Sequence, residues 1–384
     1  MTISDTYTDQ LAQLLDVAPG ELAARANELF ERESGKRYPT PLVLCGAGRL
    51  GRLTLRGLQS AGMEVLAFAD NNQRLHGQPL DGCAVTSIED AVAQHGRHAV
   101  FVTTIYTARP LREQLTALGA RVSSARAVFF QHPTIFLPHA AVDLPESITD
   151  QGPDIIDGLS NWADDTSRAE YVAQIAWHAL ASNEMPSWVA PEETYFPDEL
   201  IRLGDHELFV DCGAFDGDTL RAFLHRTGHR FDRLVAFEPD PTNFDALEAF
   251  IRGLPPDTRR RIDVRRVAVH SHRDALRFSA ADGAGSAVTS SGDIEVEADS
   301  LDNLLAGVAP TFLKMDIEGA EPNAIRGATA TLRANSPTLA ICLYHARDHL
   351  WRIPTAIREA NPGYRLFLRR HSDECWETVA YGLA

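Results

Sequence analysis

Short apolar runs, each closed by a polar residue or a glycine, recur along this chain, with helical periodicity between them. Beyond residue 207 the runs fall at 208–211, 233–238, 262–269, 311–316, 338–344, 364–370 and 376–382. Runs of this length read as buried strands. Most of the gaps, at 219–226, 241–252, 322–333 and 350–360, carry apolar residues at helical spacing. Strands alternating with helices predict an α/β fold with a mostly parallel sheet. Only a short polar loop separates the last two runs. A parallel pair needs a crossover of about a dozen residues or more, so the last strand of the seven is expected to be antiparallel. Between 270 and 297 lies an insertion with its own strand, Leu276–Ser279, and a loop of small residues, Gly283–Val288.

A separate alternation occupies the first third of the chain. A strand from Pro41 to Cys45 enters a glycine turn, and a helix follows through Leu53, Leu55 and Leu58. Strands at Val65–Ala69 and 98–103 and a helix at 110–118 continue it. This predicts a small Rossmann-like unit. Before it, Leu11, Leu14 and Leu15, then Leu22, Leu29 and Phe30, mark two short amphipathic helices parted by Pro19-Gly20. Residues 141–194 are polar and turn-rich, with an amphipathic helix at 168–181, and read as a helical connector. A chain of 384 residues fits two domains. The expected division is 1–140, 141–194 and 195–384.

Composition narrows the partners. The apolar fraction of 44% and charged fraction of 23% are those of a soluble globular protein. A net charge of −17 argues against nucleic acid or an anionic membrane as partner. The five cysteines are scattered without a C-x-x-C pair, as expected of buried free thiols. The start lacks a basic, then apolar, leader and no run is of membrane length, so a cytoplasmic location is expected.

Two glycine turns carry the candidate chemistry. In Phe209–Thr219 a strand ends at Asp211, and Gly213 and Gly217 form a turn before a helix. That order offers backbone N–H groups and a carboxylate to a small ligand. The next strand ends at Glu238, where a doubly wound sheet places the carboxylate that takes both hydroxyls of a ribose. The turn is D-x-G-x-x-x-G, with less room for a pyrophosphate than G-x-G-x-x-G, which points to S-adenosylmethionine. The first turn, Gly46, Gly48 and Gly51, is a true G-x-G-x-x-G, and Asp70 lies nineteen positions after its last glycine. It fits a nucleotide or sugar site. Alternatively, these glycines only permit tight packing.

Ligands of such a sheet sit at the carboxyl ends of its strands, so Asp211, Glu238, Asp316, His345 and His371 should converge. Methyl transfer to a weak nucleophile would call for a positioned base or a metal. Asp316 and Glu318 could contact the cofactor's amino group, hold a divalent cation or orient a base. His345 is poised to accept a hydroxyl proton, or else hydrogen-bonds behind the site. His371 suits a structural or acceptor-contacting role. Lys314, inside a buried run, should ion-pair with a carboxylate. Tyr195 and Phe196 either close over the cofactor or acceptor, or simply pack.

Phe209–Thr219, Phe237-Glu-Pro-Asp-Pro241 and above all Leu313-Lys-Met-Asp-Ile-Glu-Gly-Ala-Glu321 resemble motifs of FkbM-family S-adenosylmethionine-dependent methyltransferases. Leu368-Arg-Arg-His-Ser372 and Glu377-Thr-Val379 close the domain in a similar way, and the resemblance spans roughly 195–384. It implies a class I methyltransferase fold and O-methylation of a sugar or natural-product hydroxyl. It implies cofactor contacts at Asp211, Gly213, Ala214, Phe215, Asp216, Gly217, Thr219, Glu238, Pro239, Asp240, Ala268 and Asp316. Catalytic roles fall to His345, Asp316 and Glu318, and acceptor contacts to Tyr195, His345 and His371. The first domain more loosely resembles nucleotide- or sugar-binding modules. A small-molecule acceptor is the expected partner, and a homodimer is compatible with the sequence. Two rivals stand beside this: an NAD-linked oxidoreductase using Gly46, Gly48, Gly51 and Asp70, and a non-catalytic ligand-binding protein.

Overall fold

Strands β1 Leu42–Cys45, β2 Val65–Ala69, β3 Pro79–Leu80, β4 Cys83–Thr86, β5 Val100–Thr103 and β6 Val122–Ser124 form the first sheet of the computed structural model. Residues 3–16, 19–106, 108–182, 184–279, 287–288 and 294–384 are described. The strand order is β3-β4-β2-β1-β5-β6, with β3 antiparallel to β4 and the other pairs parallel. The direction of strand addition reverses at β1, so the turn after Cys45 lies where a parallel sheet offers a crevice. Val43, Cys45, Phe101 and Ile88 pack one face of this sheet.

The second half begins with β7 Leu208–Cys212, β8 Arg233–Phe237, β9 Ile262–Arg265, β10 Ala268–His270, β11 Asp274–Ser279, β12 Ala287–Val288 and β13 Ile294–Ser300. It ends with β14 Phe312–Met315, β15 Thr338–Cys342, β16 Arg365–Arg370 and β17 Thr378–Leu383. Seven of these form one sheet, ordered β16-β17-β15-β14-β7-β8-β9. Only β17 runs antiparallel, paired to β15 and β16. The architecture is mixed α/β with parallel-dominated sheets, as the apolar pattern predicts. Phe209, Phe223, Phe196 and Phe312 fill one face, with Phe209 and Phe223 ring centroids 4.7 Å apart.

Some expected elements divide. The run 262–269 becomes two strands, parted at Arg266 and Val267; β9 stays in the large sheet, and β10 joins a second sheet ordered β10-β13-β11-β12. The helix expected at 322–333 is two, Glu321–Arg326 and Thr329–Asn335. Gly327 sits between them, where a Cβ would lie 2.1 Å from the His270 carbonyl oxygen. The insertion's strand is present as β11, while much of the small-residue loop at 283–288 lies outside the described residues.

Residues 8–152 with 172–186 make one compact unit, and 1–7, 153–171 and 187–384 make the other. The stretch expected as a connector is therefore divided between both. Its helix Asp165–Ala179 begins in the larger unit, where buried Arg370 meets Glu170 at 2.8 Å and Arg369 meets Asp164 at 2.8 Å. All five cysteines are buried, and none is in a disulfide. No helix among the described residues is long and apolar enough to cross a membrane.

Candidate active site

Asp211 and Lys314 face each other in register on β7 and β14, and both are removed from solvent. A buried charge needs a partner. Lys314 Nζ lies 3.0 Å from Asp211 Oδ1 and donates to the Gly213 carbonyl at 2.6 Å. Burial lifts the Asp211 carboxyl to about 6 even with Lys314 beside it. At Gly213 the turn above them admits no side chain. Gly213 has φ +82°, and a Cβ there would lie 1.8 Å from the Asp316 carbonyl oxygen.

Glu238, at the end of β8, ties this turn down. Its carboxylate accepts the Phe215 N–H at 2.8 Å and the Asp240 N–H at 2.9 Å. Burial pushes it up to about 7, against the lowering effect of those bonds. Asp240 in turn caps the helix Pro241–Arg252, accepting from Thr242 and Asn243 at 2.8 and 3.0 Å.

A cavity of about 170 Å³ opens here. Gly213, Phe215, Thr219, Glu238, Pro239, Ala268, Asp316, Glu318 and Tyr195, all expected at the site, line it. Lys314, Asp218, Ile317 and Val267 line it as well. Asp211, Ala214, Asp216, Gly217 and Asp240 stand outside the lining. Asp211 is held behind by Lys314, and Asp216 turns outward to Arg221 at 2.9 Å. Gly217 serves the backbone, with φ +92° at the start of the helix Asp218–Thr227.

The end of β14 carries the acid–base cluster. His345 Nδ1 lies 2.8 Å from Glu321 Oε1, and its Nε2 lies 3.2 Å from Asp316 Oδ1 and 3.7 Å from Glu318 Oε2. Glu321, wholly buried, also accepts the Ile317 N–H at 2.9 Å. Tyr195 donates to Asp316 Oδ2 at 2.7 Å, and Tyr344 donates to Oδ1 at 3.2 Å. Burial opposes charge on His345, but Glu321 and Asp316 prevail and raise its pKa well above the ordinary value. Burial likewise works to raise Asp316, yet His345 and Lys314 hold it well below the usual carboxylate range. Burial lifts Glu318 to about 7, and also Glu377 at the foot of β17.

His345 thus lies between carboxylates that favour its charged form. His371 does not reach the cavity. It is buried, with Nε2 2.7 Å from Tyr381 Oη and Nδ1 3.3 Å from the Ala190 carbonyl. Burial holds it below the ordinary histidine range. The residue missed from sequence is Glu321. Its signal was its place five residues beyond Asp316, at the first position of a helix.

In the other unit, Asp70 accepts the Ala47 N–H at 2.7 Å and the Asn72 N–H at 2.7 Å. A Cβ at Gly51 would lie 2.0 Å from the Gly46 carbonyl oxygen, and one at Gly46 would lie 2.8 Å from the Ile105 side chain. Close packing therefore requires glycine at both positions. Gly48 has open space around it.

Comparison with known proteins agrees with this geometry. Residues 211–374 match the family model described as the methyltransferase FkbM domain. The structure is similar to a methyltransferase FkbM from Methylobacillus flagellatus KT, at 23% identity and TM-score 0.71, covering 100% of this chain and 99% of that one. It is more distantly similar to Aeropyrum pernix fibrillarin bound to S-adenosyl-L-methionine, at 12% identity and TM-score 0.32, covering 48% of this chain and 70% of that one. No curated protein matches the sequence.

Proposed function

The chain carries a methyltransferase FkbM domain at residues 211–374, and on that premise we propose that it methylates a hydroxyl oxygen of a small sugar or natural-product acceptor. The family supports S-adenosylmethionine as the methyl donor. When bound, the cofactor supplies a methyl group on a positively charged sulfur, activated for in-line displacement. Gly213, Phe215 and Glu238 form a cradle suited to its nucleoside: a turn opened by a glycine that admits no side chain, beside a buried carboxylate.

The observation that carries oxygen as the methylated atom is the buried Glu321–His345–Asp316 line, because Asp316 also walls the cavity that Glu238 floors. Glu321 holds Nδ1, so the proton exchanged is the one on Nε2, between Asp316 and Glu318. Glu318, 3.7 Å from Nε2 and raised to about 7 by burial, can take that proton, and Nε2 is then able to accept the hydroxyl proton as the acceptor oxygen attacks. Tyr195 and Tyr344 steady Asp316 meanwhile.

A divalent cation is the second reading. Asp316, Glu321 and His345 bring one ligand atom each within 4.8 Å of one another, and their oxygen and nitrogen donors suit such an ion. Chelator distinguishes the two, since only the metal route loses activity on its addition.

The test is transfer of a labelled methyl group from S-adenosylmethionine into a deproteinised metabolite extract, with products resolved by mass spectrometry. Label in a methyl ether supports the proposal. Label on nitrogen or carbon, or none transferred, overturns it. A nicotinamide dinucleotide co-purifying in the second unit would favour the oxidoreductase instead.

A further inference from the structure

We propose, resting on the methyl-transfer function above, that His371 and Tyr381 are positioning residues: they fix the backbone of Tyr195 so that its hydroxyl stays on Asp316. Tyr195 has φ +68°, a left-handed conformation that a bulky residue adopts only when its surroundings impose it. Three contacts impose it here. The Tyr195 N–H donates to Tyr381 Oη at 3.1 Å, its ring lies against Lys314, with Nζ 5.1 Å from the centroid, and its hydroxyl donates to Asp316 at 2.7 Å.

The hydrogen-bond directions settle what His371 does. The Ala190 carbonyl can only accept, so Nδ1 of His371 carries the proton and Nε2 has a free lone pair. Tyr381 therefore donates its hydroxyl proton to Nε2, leaving its oxygen to accept the Tyr195 N–H. Every group in the relay has one available role, and the order Tyr195 N–H, Tyr381 O–H, His371, Ala190 fixes them all. His371 and Tyr381 are buried, and neither lines the cavity. Their effect on chemistry must pass through Tyr195, which does line it.

That dependence has a signature in a double-mutant cycle. Tyr195→Phe and Tyr381→Phe should each lower turnover, by roughly tenfold to a hundredfold for a displaced active-site group. Each should leave affinity for S-adenosylhomocysteine, read by calorimetry, within about twofold. The double variant should be no slower than Tyr195→Phe alone. Losses that multiply, or a Tyr381→Phe enzyme with unchanged turnover, would overturn the proposal. His371→Gln reads the relay from its other end and should retain more turnover than His371→Phe at equal cofactor affinity; equal turnover in the two would count against it. Turnover is methyl transfer from labelled S-adenosylmethionine into the extract. Wild-type protein that transfers no label would instead sink the methyltransferase function itself.

Discussion

Glu238 and Asp70 end the second strand of their respective sheets and make the same pair of bonds. Each accepts one N–H from its glycine turn, Phe215 at 2.8 Å and Ala47 at 2.7 Å, and one from the residue two positions on, Asp240 at 2.9 Å and Asn72 at 2.7 Å. The carboxylate that recognises a ribose in such sheets is here also the anchor of the turn that receives it. Around Glu238 the space is open and lined by the cavity. Under Gly46 it is filled by Ile105.

Glu238→Ala should therefore weaken binding of S-adenosylhomocysteine by about 1–3 kcal/mol, the cost of leaving polar groups unpaired in a closed site. Glu238→Gln, which keeps one acceptor oxygen, should lose less. Calorimetry decides it, and unchanged affinity in Glu238→Ala would remove this strand end from the cofactor site.

A pH dependence follows from three carboxyls, one buried and two half-buried. Glu238, Glu318 and Glu377 are each raised to about 7. A raised carboxyl holds a proton in the folded state that the unfolded chain gives up, so its contribution is complete below the ordinary range and is lost as pH rises through about 7. The free protein should lose this part of its stability between weakly acidic and neutral pH. Affinity for cationic S-adenosylmethionine should rise over the same interval, more than that for S-adenosylhomocysteine. Affinities parallel for the two ligands across that range would contradict it.

His345→Ala should lower turnover by roughly 10²–10⁴ while cofactor affinity stays near wild type. Glu321→Gln should slow the enzyme too, because it releases Nδ1. If His345→Ala is fully active and indifferent to chelator, neither base nor metal operates at this cluster.

Lys314→Met leaves Asp211 buried without its counter-ion, and should destabilise the fold by about 3–5 kcal/mol in urea unfolding. Adding Asp211→Asn should recover part of that loss. A Lys314→Met protein as stable as wild type would show the pair to be unimportant for folding.

Gly48→Val tests the first domain. Open space at Gly48 lets the variant fold, while a valine there obstructs any ligand resting on the helix start. A higher Michaelis constant for the acceptor with cofactor affinity unchanged would mark a holding site. Unchanged acceptor kinetics would leave the domain structural.

The partner of Lys314 was legible in the sequence because a charge inside an apolar run has few ways to exist. The seven-stranded sheet was legible from the continuous apolar runs, and its antiparallel strand from the brevity of the last loop. Glu321 was not, since an acid at a helix start satisfies the helix dipole and asks for no further explanation. Nor were β4 and β6, of four and three residues, too short to show a period. His371 ends a strand as active-site residues do, but the segment around Ala190 covers that end, and no local pattern announces a cover supplied from so far back in sequence.

The larger unit takes in residues 153–171 before the chain leaves it and returns at 187. Arg370 and Arg369 lean on Glu170 and Asp164 from that early segment, and Leu368 N–H donates to Ser167 Oγ at 2.8 Å. A gene fragment starting at 187 would encode all of the cavity but take Glu170 from Arg370 and Asp164 from Arg369. A recombination point at residue 153 keeps those partners with their arginines, and one at 187 severs them, so the heritable boundary of the methyltransferase unit lies upstream of its own sheet.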